Sequence, residues 1–531
     1  MKKVAVLDTE TQGLYGKLIL GGVKVDGKFF YFEDTDKLKD FLNDLISNGY
    51  VIVGHNLFYD FSILNFIPPN RDCFDDTYLF MKAYQVEYKI EKPERGTFGL
   101  ENLCKFFKLY EYKTDKTKIR KDLEKGVKLL DNRLKNYLTE DLNATDLLYR
   151  YTIAKHEKFK PVYLLDKAFM IRLLQIQKRG VPLNIEEVSK LLQEKKPVFN
   201  QNLIAFQRAY QFNPFSPAQV KTKLNLPDAQ KQTLLYNFLT TKDEKLKQCI
   251  HDILSLKKQQ DEISYLEEWI TKGSSGRLYG HYDVCGAVTG RLSCSDSNLL
   301  NIPRHLRYLF YKSPFLKYDF SQIELRLAGQ VYYIPTFITS YRNGEDLHSK
   351  TASFLFDKSI DQISKQERHI AKQFNFALIY GASVQTLQEL LYEANILLTY
   401  EETKFLRAKW MSYHRRVSEH IQSTINTIKN GLIPVYTILR RNRYTEHLNI
   451  ALNFPIQGTG AELLKGTVVL FTKKFPNAKI VNLIHDEIQI ECDSQEEAQE
   501  YIKALDEAGA EMWNYLFKNL EIPFQGEATV V

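Results

Sequence analysis

Cysteine is scarce: six thiols in 531 residues, at positions 73, 104, 249, 285, 294 and 492, with no Cys-x-x-Cys pair and no Cys/His cluster. That excludes a disulfide scaffold and a thiolate zinc site, and leaves the cysteines as core fillers in a reducing compartment. Long apolar runs are missing too. Nothing reaches membrane-spanning length, and no apolar h-region or Arg-rich presequence follows Met1-Lys2-Lys3. A soluble intracellular protein with no membrane partner is expected. Repeats and low-complexity segments are likewise absent. Charge of one sign is nearly balanced, with 72 Lys and Arg against 65 acids, a formal +7. So mild an excess suits a phosphate-backbone partner and a solvated basic surface equally.

What is present is a globular composition, 44% hydrophobic, with length for roughly three or four domains. At the start, Val4-Ala5-Val6-Leu7-Asp8-Thr9-Glu10 reads as a central strand, apolar on both faces. Asp8 and Glu10 then share one face at its C-terminal end. A second buried strand, Tyr50 to Asn56, leads into a helix carrying Asp60, and a helical reading of Tyr137 to Asp141 puts those two residues on one face. Each acid singly reads as a cap or a turn residue. Together, four carboxylates from three elements suit two cations and in-line phosphodiester displacement.

Further on, Ser313-Pro314 breaks the chain before a short strand that ends at Tyr318-Asp319-Phe320-Ser321-Gln322-Ile323-Glu324-Leu325-Arg326. Alone, Asp319 reads as a turn acid before an amphipathic helix, or as a ligand for a hard divalent cation. Val481 to Ile490 reads as a hairpin with His485, Asp486 and Glu487 at its turn. Between these acids, Arg368, Lys372, Phe376 and Tyr380 recur every fourth residue along one predicted helix. Cations followed by aromatics match a nucleoside triphosphate, though a basic turn grading into core aromatics is common in amphipathic helices.

In this order the three segments resemble motifs A, B and C of family A DNA polymerases, the polymerase I type. The N-terminal Asp-x-Glu, Asn-x3-Asp and Tyr-x3-Asp pattern resembles DnaQ-like 3′–5′ exonucleases. The implied fold is an α/β and α+β multidomain chain, an RNase H-like exonuclease domain followed by a right-hand polymerase. The expected boundaries are 1–160 for the exonuclease, 161–285 for the thumb, 286–335 with 435–531 for the palm and 336–434 for the fingers. No 5′-nuclease domain is expected, and a bacterial or phage coding source fits the size.

The resemblance implies DNA-directed DNA synthesis from dNTPs on a primer-template, with 3′–5′ proofreading, by a monomer. It makes Asp319, Asp486 and the Phe320 carbonyl ligands of two Mg²⁺, with Mn²⁺ as a substitute, and Asp8, Glu10, Asp60 and Asp141 the ligands of a second pair. Tyr137 would orient the attacking water. Lys372 and Arg368 would hold the triphosphate with His348, and Phe376, Tyr380, Gln322 and Glu324 would complete the nucleotide site. Thr289-Gly290-Arg291-Leu292-Ser293 and Asn453-Phe454-Pro455-Ile456-Gln457 resemble the segments that bind primer-template. They nominate Arg291, Asn453, Gln457 and His485 for DNA contact. Leu439-Arg440-Arg441-Asn442-Arg443 departs from the usual Gly-Arg-Arg turn, and Asn449 stands where relatives often have Arg. Two alternatives stay open: chiefly a 3′–5′ nuclease with weak synthesis, or a non-catalytic DNA-binding protein of the same fold.

Overall fold

A computed structural model describes residues 2–114, 118–119, 121–122, 132–155 and 161–531. The expected boundary at Lys160, and much of the charged stretch before it, lie outside the described residues. The N-terminal domain is built on a five-stranded sheet in the order β3-β2-β1-β4-β5. Its strands are β1 (Lys3–Thr11), β2 (Leu18–Val25), β3 (Lys28–Phe32), β4 (Tyr50–Gly54) and β5 (Phe74–Asp76). β1 runs parallel to β4 and β4 to β5, while β2 and β3 fold back antiparallel. Parallel neighbours need crossovers, and the helices Thr35–Ser47 and Leu57–Ile63 lie in the two connections. The helix Asn132–Tyr151 packs across β1, β2 and β4. Gly22 permits that approach, since a Cβ there would lie 2.8 Å from Leu138.

The helix Pro161–Arg179 packs between this domain and the long helix Leu448–Lys474. Next, Ile185–Tyr210 and Glu244–Lys272 pair lengthwise as an arm. Phe206, Val220, Leu234, Ile250 and Ile253 give the arm its own core, separate from the main one. At its tip the helix Lys231–Thr240 touches the helix Val384–Glu393: Lys231 meets Glu393 at 2.9 Å and the Tyr236 and Tyr392 rings stand 5.6 Å apart.

A four-stranded antiparallel sheet forms the base of the C-terminal half, in the order Lys479–Ile484, Glu487–Glu491, Phe315–Phe320, Gly526–Val530. The helices Leu448–Lys474 and Gln495–Leu516 pack together beside it, and a helical lobe from Pro335 to Ile428 rises from one end. Among the described residues no helix is long and apolar enough to cross a membrane.

The two halves are bonded along a polar seam. Lys167 meets Asp75 at 2.8 Å with both side chains buried, and Tyr78 Oη donates to Asp283 at 2.9 Å. Asn442, fully buried, accepts from the Val86 N–H at 2.9 Å and donates to Glu87 at 3.0 Å.

Candidate active site

The strand Phe315–Phe320 runs through the centre of the second sheet, so Asp319 has an acid on each side. Glu487 and Glu527 are its register partners on the two flanking strands. The hairpin turn adds another: His485 takes a left-handed φ of 56°, and the Phe320 N–H donates to the Asp486 carbonyl at 3.3 Å, drawing Asp486 towards the end of the strand. Burial, then Asp486, Glu487 and Glu527, push the Asp319 carboxyl up to about 7. Burial also raises Asp486. Arg307 balances Glu487 at 3.4 Å, and Ser321 donates to Glu527. Carboxylates gathered with so little cation suit a hard divalent ion as ligands.

A cleft of about 490 Å³ opens beside these acids. Asp319, Phe320, Asp486 and His485 line one part of it, and Arg368, Lys372, Phe376 and His348 another. Arg368, Lys372 and Phe376 owe their alignment to the helix Lys365–Leu378, whose start is fixed by a reciprocal Ser364–Glu367 capping box. Residues 368, 372 and 376 follow at four-residue steps and share a face. Tyr380 was expected on the same helix but lies just beyond it. The helix ends at Leu378, and Gly381 turns the chain at a φ of 76°. Arg368 is held by Asp346 through two bonds, Nε to Oδ2 at 2.7 Å and Nη2 to Oδ1 at 2.9 Å. Burial pushes the His348 imidazole down to about 4, so it is neutral near pH 7. Its Nδ1 lies 3.1 Å from the Asn375 amide, and its ring 5.9 Å from that of Phe376.

Glu324 gathers the remaining residues. Its Oε1 accepts from Arg291 at 2.8 Å and from Gln457 at 3.4 Å, and its Oε2 from the Tyr380 hydroxyl at 3.2 Å. Gln322 precedes it in a left-handed conformation, φ 48°, and accepts from Tyr341 Oη at 3.2 Å. Asn453, on the same long helix as Gln457, has a buried amide oxygen with no hydrogen-bond partner.

Beneath the cleft lies a charge network with no signal in the sequence. Asp166, 0% exposed, accepts from Arg441 at 2.5 Å and from Lys465 at 2.6 Å, and the Cys285 thiol donates to it at 3.2 Å. Burial opposes its ionisation, yet the two cations hold the carboxyl below its ordinary range. The network supports the loop bearing Arg291. Gly290 has a φ of 83°, and a Cβ there would sit 2.4 Å from Arg441 Nε. Arg440 adopts a φ of 71° in the turn that delivers Arg441. Asn449 is a local residue, its amide oxygen accepting from the Ile450 N–H at 2.9 Å.

The N-terminal domain holds a second acidic group. Oxygens of Asp8, Glu10 and Asp141 all lie within 4.8 Å of one another. Asp60 is not one of the three: it is buried, Thr9 donates to it at 2.6 Å, and burial pushes its carboxyl up to about 7. Tyr137 is buried one turn before Asp141 on their shared helix. Two neighbours went unread in the sequence. Tyr112 Oη donates to Asp141 at 2.8 Å. Asp76 caps two helices at once, accepting from Tyr78 N at 2.8 Å and from Leu57 N at 2.8 Å, and so fixes the helix that carries Asp60.

Comparison with known proteins gives the family. Residues 184–530 match the family model of DNA polymerase family A. The chain is 31% identical to DNA polymerase I of Aquifex aeolicus, over 99% of its own length and 94% of that protein. It is 26% identical to DNA polymerase I of Caldicellulosiruptor bescii over 88% of the chain, and there it spans 57% of the relative's length. In structure it resembles the POL domain of Pol1 from M. smegmatis, solved in complex with DNA primer-template and dNTP. The TM-score is 0.78 at 19% identity, covering 99% of this chain and 94% of that one. The chain belongs to DNA polymerase family A.

Proposed function

We propose that the chain extends a DNA primer in the 5′→3′ direction from dNTPs on a template strand, and that its N-terminal domain trims 3′ ends. One observation carries the synthetic half: a single cleft joins Asp319 and Asp486 to Arg368, Lys372 and Phe376. Acids at the end of a sheet and cations on a facing helix are the two halves of a phosphoryl-transfer site. The nucleic acid and nucleotide bound to the mycobacterial neighbour support the same choice of partners.

In this reading the N-terminal domain is the RNase H-like exonuclease, the arm is the thumb, the four-stranded sheet the palm and the helical lobe the fingers. Arg368 and Lys372 take the triphosphate and stabilise charge developing on its oxygens. Neutral His348 adds a hydrogen bond without adding charge. Phe376 packs on the sugar, and Tyr380 closes the site over the nascent pair. Arg291, Gln457, Asn453 and His485 meet the primer-template, the unsatisfied Asn453 oxygen being free to accept from a minor-groove donor. Asp319, Asp486 and the Phe320 carbonyl would hold Mg²⁺, which when bound acidifies the primer 3′-hydroxyl and neutralises the departing pyrophosphate.

For the trimming site, the close approach of Asp8, Glu10 and Asp141 supports a divalent-cation site. The resemblance adds Asp60, whose carboxylate here accepts from Thr9 outside that triangle, and gives Tyr137 the task of orienting the water. A labelled primer-template with Mg²⁺ tests both halves at once. Lengthening is expected with dNTPs and shortening without them. Neither change would leave a non-catalytic binding protein.

A further inference from the structure

We propose that Asp346 is a positioning residue for the triphosphate, holding Arg368 in its binding orientation while fixing the helix that presents His348. This rests on the reading of the cleft given above. Two bonds join the Asp346 carboxylate to the Nε and Nη2 edge of the Arg368 guanidinium, at 2.7 and 2.9 Å. Such a fork fixes the plane of the group as well as its position. Among the described residues the Nη1 end makes no hydrogen bond, which leaves it for a ligand oxygen.

The same carboxylate is the N-cap of the helix Leu347–Phe356. It accepts from the Ser349 N–H at 3.0 Å and from the Ser349 hydroxyl. His348 is the second residue of that helix. One side chain thus ties together the two elements whose tips face the phosphates, the first turn of His348's helix and the first turn of Arg368's. Partial burial opposes the charge, but Arg368 and Ser349 hold the carboxyl at about 2, so the fork stays ionised throughout the working range.

Stability alone does not account for the pair. Arg368 is 45% exposed and Asp346 35%, and ion pairs that open to solvent contribute little to folding. An arginine side chain has many rotamers, and ordering it before the ligand arrives removes that cost from binding. The contrary role is competition, in which Asp346 occupies Arg368 and must release it when a nucleotide enters. The two roles predict opposite signs.

Asp346→Asn separates them. Asparagine is as good an N-cap as aspartate, so the helix is kept while the ionic fork is lost. The expected result is a dNTP KM raised about tenfold, with a smaller change in kcat and unchanged primer-template affinity. The inhibition constant of inorganic tripolyphosphate should rise in parallel. In an Arg368→Ala background the same substitution should add nothing. An unchanged or lowered KM overturns the proposal, the second outcome in favour of competition. An equal loss in the Arg368→Ala background also overturns it, because Asp346 would then act through the helix alone. If Arg368→Ala by itself leaves the dNTP KM unchanged, the fault lies instead in the assignment of the triphosphate site.

Discussion

The Tyr380 hydroxyl donates to Glu324 at 3.2 Å, and the other Glu324 oxygen holds Arg291 at 2.8 Å. On the proposed reading, a residue of the nucleotide site and a residue of the primer-binding loop share one carboxylate. Glu324→Ala releases both, together with Gln457. With hydrogen bonds to a charged group worth about 1.5–3 kcal/mol each, kcat/KM for a correct nucleotide should fall by tenfold or more. Single-nucleotide insertion kinetics measure it. A change under twofold would mean the shared carboxylate is incidental.

Asp319→Asn and Asp486→Asn should each abolish extension while leaving trimming of a single strand largely intact. The loss expected is about a thousandfold, since metal-assisted charge stabilisation contributes several kcal/mol to the transition state. A variant extending primers within tenfold of the parent would remove that residue from the metal site.

Asp8→Ala combined with Glu10→Ala should eliminate 3′–5′ degradation and leave extension near normal. The assay is release of nucleotides from an end-labelled single strand with Mg²⁺. Trimming at an unchanged rate would place the nuclease away from the triangle that these acids form with Asp141.

On the proposed reading Phe376 packs on the sugar of the incoming nucleotide, and Phe376→Tyr tests that placement. A dideoxynucleotide lacks the 3′-hydroxyl, and with it a hydrogen bond inside the closed site. A tyrosine hydroxyl beside the sugar replaces that bond, so dideoxynucleotide use should rise by at least about tenfold with little change for normal substrates. The readout is the ratio of kcat/KM for the two substrates in a nuclease-deficient background. An unchanged ratio would mean Phe376 faces something other than the sugar.

Asp166→Ala leaves Arg441 and Lys465 buried without their anion. Breaking a buried pair from one side costs about 3–5 kcal/mol, so the denaturation midpoint should drop well below that of the parent. Asp166→Asn, which keeps an acceptor, should fall between them. A midpoint unchanged in both would show that water compensates the two cations.

Much of the cleft was legible because its signals are local. Ser313-Pro314 followed by alternating residues marks the strand that ends at Asp319, and a four-residue period marks the stripe from Arg368 to Phe376. The misplaced Tyr380 was a local error, since Gly381 already signalled the helix end. Other features depend on pairing between distant segments. Glu487 and Glu527 flank Asp319 only through strand register, which no single stretch encodes. Asp166 and Arg441 are 275 residues apart, and nothing near either announces the other. Asp346 is of a residue type favoured at helix N-caps, and its cap bond to Ser349 is local. Its bond to Arg368 lay beyond local reading.

The seam between the halves bears on how an error would be corrected. Asn442, Lys167 and Asp75 are buried where they cross it, and opening it would break a buried ion pair and the Asn442 hydrogen bonds together. These contacts tie the N-terminal domain to the C-terminal half and set the span between the two acidic centres. On the proposed reading, the travelling is left to the DNA. A mismatched end must unpair and cross that span as a single strand, so proofreading is gated by how readily the terminal base pairs fray. On that reading the protein keeps the distance, and the mispair itself sets the timing.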